Sequence, residues 1–223
     1  KYLKSYRTQA PIIDKSAIKN ELNKLEYPLY FLDFETDGPA IHRFFGMRPF
    51  EQFPFQFSCH KLEEKGKLEH FWFLHTDMDD PRKDIAESLI NTLGTHGSII
   101  AYNAPFEIRF IKNLAGWFPD LATDLLAMVD RFWDQLPIFR NYYIDYRFLG
   151  SASIKYVFPV LVPSLSYEAL NVSGGTEAQA TWNTMIQTKD ADLKAKLIDN
   201  LLEYCGQDTY AMVEIHRVLK KLI

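Results

Sequence analysis

The chain has 223 residues, with 25 Lys and Arg against 29 Asp and Glu, giving a formal net charge of −4. That length suits one large domain or two small ones, and 47% hydrophobic residues supply a real core, which excludes intrinsic disorder. No apolar run approaches the ~20 residues that span a bilayer and no signal-peptide pattern opens the chain, so a cytoplasmic protein with no membrane partner is expected. The mild negative charge argues against a broad grip on long nucleic acid, but leaves room for a small acidic metal centre that meets one end of a strand. Cys59 and Cys205 lie within apolar patterns and read as buried free thiols of a reducing compartment. The first residue is Lys1 and not Met, which points to a piece of a longer protein with room for a further domain N-terminal to it.

Residues 1–26 read as a lead-in packed on the domain edge, with a short Ser16-capped helix over Ala17 to Leu25. Tyr27 to Glu35 is an apolar, aromatic run with the composition of a buried strand. Its Asp33 and Glu35 are two positions apart, so they share a face and stand roughly 7 Å apart along the strand. Two acids at the end of a buried strand repel each other and lose solvation unless something positive lies between them. Hard carboxylate oxygens suit Mg²⁺ or Mn²⁺, whereas an isolated Asp-x-Glu more often marks a strand's exit into solvent. Thr36, Asp37, Gly38 and Pro39 read as the turn that ends the strand. The linker Ala40 to Gln52 carries Arg43, Arg48, Phe44, Phe45, Met47 and Phe50; it either covers a core edge or forms the lip of a site, with arginines for phosphate and aromatics for bases.

Phe53 to Leu62 alternates as a half-buried strand, Glu63 to Lys67 is a hairpin turn, and Leu68 to Leu74 returns as a third strand. A helix starts at Asp79-Asp80-Pro81 and runs to about Leu93, and Ser98 to Tyr102 is a short buried strand. Asn103 is placed as the cap of the next helix, with Pro105 in its first turn. Glu107 in that turn is either an acid favoured by the helix dipole or a functional group. Leu121 to Trp133 reads as helix, and Asp130 within it is either a support of the site or plain surface. Gly150 to Pro159 reads as a Ser-capped helix stopped by proline, whose Lys155 is solvated surface or a phosphate contact. Leu170 to Ala180, with Gly174-Gly175, reads as a loop. Asp190 to Ile223 is the last long helix, and Asp208 falls in the middle of its apolar stripe, one turn after Tyr204. A carboxylate there must be paired, hydrogen-bonded or metal-bound.

Asp33-Phe34-Glu35 on a strand, Asn103 four residues before Glu107 at a helix start, and Tyr204-x-x-x-Asp208 on a late helix together resemble the DEDD superfamily of 3′–5′ exonucleases. The tyrosine makes the pattern similar to the DEDDy branch. More closely, the phrases Leu32 to Thr36, Tyr102 to Glu107, Gly150 to Lys155 and Tyr204 to Thr209 resemble a bacterial family described as a domain of unknown function, DUF2779. The superfamily resemblance implies a ribonuclease H-like α/β fold over residues 27–223, a mixed sheet of about five strands, the first three antiparallel, flanked by helices. It implies Asp33, Glu35, Glu107 and Asp208 as ligands of two Mg²⁺ or Mn²⁺ ions, with Tyr204 placing or deprotonating the attacking water. Asn103, Phe34, Thr36 and Lys155 are then assigned to substrate contact, and the partner is the 3′ end of DNA or RNA. Glu107 departs from the pattern, which usually has Asp there. A binding module without turnover and an endonuclease on the same fold are the rival readings.

Overall fold

The computed structural model describes residues 1–165, 172 and 174–223. In chain order its elements are α1 (Tyr2–Thr8), β1 (Ile12–Ile13), α2 (Lys15–Leu22), β2 (Leu29–Asp37), β3 (Phe53–Leu62), β4 (Leu68–Leu74), α3 (Arg82–Leu93), β5 (Ser98–Ala101), α4 (Pro105–Trp117), α5 (Ala122–Val129) and β6 (Phe132–Asp134). There follow a π-helical turn (Ile138–Tyr142), β7 (Tyr143–Ile144), a 3-10 turn (Tyr146–Phe148), α6 (Ile154–Leu161), α7 (Gly175–Gln187) and α8 (Ala191–Leu222).

Five strands make one mixed sheet in the order β4-β3-β2-β5-β6. The first three of these in sequence, β2, β3 and β4, pair antiparallel, and β5 and β6 continue the sheet in parallel from β2. The β3–β4 hairpin closes where Glu63 N–H donates to Lys67 O at 2.9 Å, with Gly66 at φ +89°, a left-handed conformation that costs glycine little. β1 and β7 form a separate two-stranded sheet.

The central strand β2 is buried on both faces. Tyr30, Leu32 and Phe34 pack with Ile85 and Leu89 of α3, Phe110 and Leu114 of α4 and Leu125 of α5. Leu29 and Phe31 pack on the other face against Met212 and Val213 of α8. Further along, Phe53 and Phe55 meet Trp182 of α7, which stacks on Phe55 at 4.5 Å and donates its Nε1–H to His75 O at 2.8 Å. Among the described residues no helix is long and apolar enough to cross a membrane.

Several expectations are corrected. The Leu121–Trp133 stretch is not one helix: α5 stops at Val129 and Phe132–Asp134 pairs with β5 as the edge strand. Strand β2 runs through the expected turn residues Thr36 and Asp37, with a bulge at Glu35/Thr36. Asp37 is held there by Gln179 Nε2 at 2.6 Å and by Arg43 at 3.5 Å. Asp14, not Ser16, caps α2 by accepting from Ala17 N–H at 2.9 Å. Pro159 lies inside α6, which continues two residues beyond it. Of the expected loop Leu170–Ala180, residues 170, 171 and 173 lie outside the described residues, and from Gly175 the chain is helix. The alternation along β3 does not divide core from solvent, since Gln56, Ser58 and His60 are buried beneath α8.

Residues 1–26 contribute to the core. Ile18 of α2 is fully buried among Ala211, Ile215 and Leu219 of α8 and Phe158 of α6. Ile18→Ala is therefore expected to lower unfolding free energy by about 2–4 kcal/mol in urea titration. A loss below about 1 kcal/mol would make this segment an appendage rather than part of the folding unit.

Candidate active site

From its middle onward β2 turns Asp33 and Glu35 to the face that α8 covers, beside Ser58 and Gln56 of β3 in the strand register. The donor atoms of Asp33, Glu35 and Cys205 all lie within 4.8 Å of one another. Cys205, on α8, directs its thiol at Asp33, with Sγ 3.8 Å from the backbone oxygen and 3.9 Å from Oδ2. Glu107 enters from α4, where Pro105 opens the helix and the acid occupies the first turn. It is only 2% exposed, and its Oε2 is buried with no hydrogen-bond partner. Asp208 and Tyr204 enter from α8, one helical turn apart.

A cation stands at the mouth. Lys155, exposed in the first turn of α6, places Nζ 5.9 Å above the Tyr204 ring. The start of α7 closes in beside it. A Cβ on Gly174 would lie 3.4 Å from Lys155 Nζ, and one on Gly175 would lie 3.7 Å from Glu35 Oε2. Both are ordinary contact distances, so the two glycines lie beside these charges without crowding them.

The electrostatics follow from crowding acids in a dry place. Burial first, and then the Asp208 charge, hold the Asp33 carboxyl well above its ordinary range. Glu35 is raised by burial and by Asp33, Asp208 and Glu107, with Lys155 acting in the opposite direction. Glu107 is raised by burial, Asp33 and Asp134. Burial and the neighbouring acids also push up the Tyr204 phenol and the Cys205 thiol, so both keep their protons near neutral pH. A protonated Cys205 is a weak hydrogen-bond donor and a poor ligand for a hard cation.

Asp33, Glu35, Glu107, Asp208, Tyr204 and Lys155 are therefore brought together. Phe34 is not: it turns to the opposite face and packs edge-on against Phe57 and Phe110, 3% exposed. Thr36 is half-buried beyond the bulge. Asn103 does not cap α4 with its side chain; Ala104 occupies the cap, and Asn103 sits exposed at φ +82°. In the linker, Phe44 and Met47 are core residues, whereas Phe45 and Phe50 are exposed. Arg43 is drawn to Asp37 and Asn183 and lies over Trp182, so it supports α7. Asp130 is exposed at the C-terminal end of α5.

Three contributors escaped the sequence reading. Cys205 was legible only as a buried thiol, although its place beside Tyr204 on α8 turns it toward β2. The Gly174-Gly175 pair suggested a loop. Asp134, whose Oδ1 accepts from Asn103 N–H at 2.9 Å, closes the short strand β6, which follows directly on a stretch whose apolar spacing reads as helix.

The family model described as Domain of unknown function (DUF2779) matches residues 30–153, more than half of the chain. That span contains Asp33, Glu35, Asn103, Glu107 and Asp134. No curated protein and no solved structure matches the chain. With both acids of strand β2 and the turn into α4 inside the matched span, the chain belongs to the DUF2779 family.

Proposed function

We propose that this chain is a metal-dependent 3′–5′ exonuclease of the DEDD type on a ribonuclease H-like fold, removing nucleotides from the 3′ end of DNA or RNA. The observation that carries the reading is the convergence of four carboxylates from three elements, β2, α4 and α8, with Tyr204 one turn from the last of them. The sheet supports the fold part, because three antiparallel strands are continued by two parallel ones and helices cover both faces.

A divalent cation fits these residues. The donors are hard carboxylate oxygens, Glu107 Oε2 lies buried without a hydrogen bond, and the acids repel one another in the absence of a positive charge. Asp33, Glu35, Glu107 and Asp208 would hold two Mg²⁺ or Mn²⁺ ions, which supply Lewis-acid activation of water and neutralise charge on the departing oxygen. Glutamate at 107 is a methylene longer than the usual aspartate, and its burial at the helix start brings its charge to bear on Asp33.

The chain's own residues do the rest. Tyr204, protonated, orients the attacking water by hydrogen bonding. Lys155 meets the phosphate at the mouth, and the exposed Asn103 side chain meets the terminal nucleotide. Water oxygen bonds to phosphorus, the bond from phosphorus to the 3′ oxygen breaks, and the proton lost by the water balances the one the 3′ oxygen gains.

The direct test is digestion of a 5′-labelled single-stranded oligonucleotide with Mn²⁺. A ladder shrinking from the 3′ end is expected, lost by at least 10³-fold in Asp33→Ala and Asp208→Asn. Intact oligonucleotides of both DNA and RNA with a folded, Mn²⁺-supplied protein would overturn the reading.

Stability gives an independent test. The folded values of Asp33, Glu35 and Glu107 are raised above their ordinary 3.8, 4.5 and 4.5. Their contribution is full below about pH 4 and is lost as pH rises through the raised folded values. His60 and His216 act oppositely. Burial lowers them to about 3 and about 4, so the stability they contribute is present above 6.5 and lost as pH falls through those values. In the metal-free protein the three acids are expected to lower the melting temperature as pH rises from about 4 through their raised folded values, with His60 and His216 opposing that trend below 6.5. Glu107→Gln should raise its melting temperature at pH 8 by several degrees, about 1–3 kcal/mol, while abolishing the ladder. A lower melting temperature in Glu107→Gln would show that the carboxylate is a structural partner instead.

A further inference from the structure

We propose that Asp134 is a positioning residue of this centre, aiming Glu107 and Asn103 by holding the turn between β5 and α4. Strand β6 lies parallel to β5 with Asp134 opposite Ala101, so its carboxylate comes level with the point where β5 ends. Gln135 N–H donates to Ala101 O at 2.9 Å and fixes that register. Asp134 Oδ1 accepts from Asn103 N–H at 2.9 Å and from Leu136 N–H at 3.0 Å.

The residue it grips is the one that needs gripping. Asn103 stands at φ +82°, a left-handed conformation that is uncommon for a residue with a side chain, and asparagine is among those that tolerate it. That conformation turns the chain out of β5 and into α4, where Phe106 N–H bonds back to Asn103 O at 3.0 Å. Ala104 at the cap offers no side-chain acceptor, so the Asp134 carboxylate on the neighbouring strand serves the turn instead. The other flank of the turn is anchored too, since Tyr102 donates its hydroxyl to Ala152 O at 2.6 Å. Glu107 lies four residues beyond Asn103, in the first turn of the helix so placed. If the turn shifts, the buried carboxylate of Glu107 leaves its place beside Asp33.

What the turn presents to substrate rests on the nuclease reading above; its effect on cation binding and on backbone order does not. The experiment compares Asp134→Ala with Asp134→Asn, whose amide oxygen can accept the same two hydrogen bonds without the charge. Mn²⁺ affinity is measured by calorimetry, amide hydrogen exchange is followed over residues 103–107, and kcat and KM are taken on the oligonucleotide. Asp134→Ala is expected to weaken Mn²⁺ binding by about 10- to 100-fold, to speed exchange across 103–107, and to lower kcat more than it raises KM. Asp134→Asn is expected to stay within about threefold of the parent in all three. Should Asp134→Ala fail to fold, Asp134→Ser, whose hydroxyl is too short to reach both amides, takes its place. Unchanged Mn²⁺ affinity and exchange in a folded Asp134→Ala would overturn the proposal. So would an Asp134→Asn as damaged as Asp134→Ala, because the charge and not the hydrogen bonds would then matter. A parent chain that cuts nothing, with the Ala and Asn variants still separated in Mn²⁺ affinity and exchange, would end the nuclease reading and leave the positioning role standing.

Discussion

The rest of the molecule is arranged around one unfavourable fact: carboxylates are crowded where the end of β2 is buried. Each costs desolvation, and each raises the cost of ionising the next. A fold under selection for stability alone would place leucine or serine at several of these positions. The arrangement is stable enough to persist because the scaffold beneath is strongly apolar, with Leu32, Phe34, Phe57 and Phe110 fully or almost fully buried directly behind the acids. Lys155 supplies one opposing charge from the mouth, and the Cys205 thiol gives Asp33 a weak donor from α8.

The rotation of α8 about its own axis decides whether Tyr204, Cys205 and Asp208 meet β2, and a polar seam sets it. Gln56 donates its amide to Leu201 O at 2.8 Å, Ser58 shares a 2.7 Å bond with Thr209, and His60 Nδ1 meets the same Thr209 hydroxyl at 2.8 Å. A purely apolar contact would tolerate a helix turned by some tens of degrees. Buried hydrogen bonds do not, because each broken one leaves a polar group unsatisfied. The seam lies on the same helix turns as the site residues: Leu201 precedes Tyr204 by three positions, and Thr209 follows Asp208 by one.

Long or strongly patterned stretches were legible from sequence. β2, β3, the hairpin at Gly66, β4, α3, β5 and α8 are found within a few residues of expectation, because periodicity and turn chemistry both report on them. What failed was decided by neighbours distant in sequence. Phe132-Trp133-Asp134 continues an apolar helical pattern, and only its pairing with β5 makes it a strand. Gly174-Gly175 has the composition of a break, yet Gly175 opens α7 beside Glu35 and Lys155, residues far from it in sequence. On β3, Gln56, Ser58 and His60 look like a solvent face, and nothing within the strand reveals that α8 supplies their partners. In the site itself, the strand acids and the Tyr204/Asp208 spacing were readable because they are local patterns, whereas Asp134 and Cys205 act through atoms brought from far along the chain.

The gathering of residues 33, 107, 134 and 208 is a consequence of strand direction. Strands β2, β5 and β6 run parallel, so their carboxyl ends finish on one edge of the sheet. Asp33 and Glu35 lie just past the level where β5 stops pairing with the first, Asn103 follows the second, and Asp134 ends the third. At β2 the sheet changes from antiparallel pairing with β3 to parallel pairing with β5, and in open α/β sheets the crevice beyond the carboxyl ends at such a change is where ligands bind. The helix leaving β5 must start over that crevice, which gives Glu107 its approach, and α8 crosses the same face to add the last acid. A slip of one residue in the β2–β3 register would exchange Asp33 and Glu35 for Leu32 and Phe34 on that face. The apolar side chains behind β2 and the polar seam in front of β3 both oppose that slip, so the forces that specify the fold also keep the acids together.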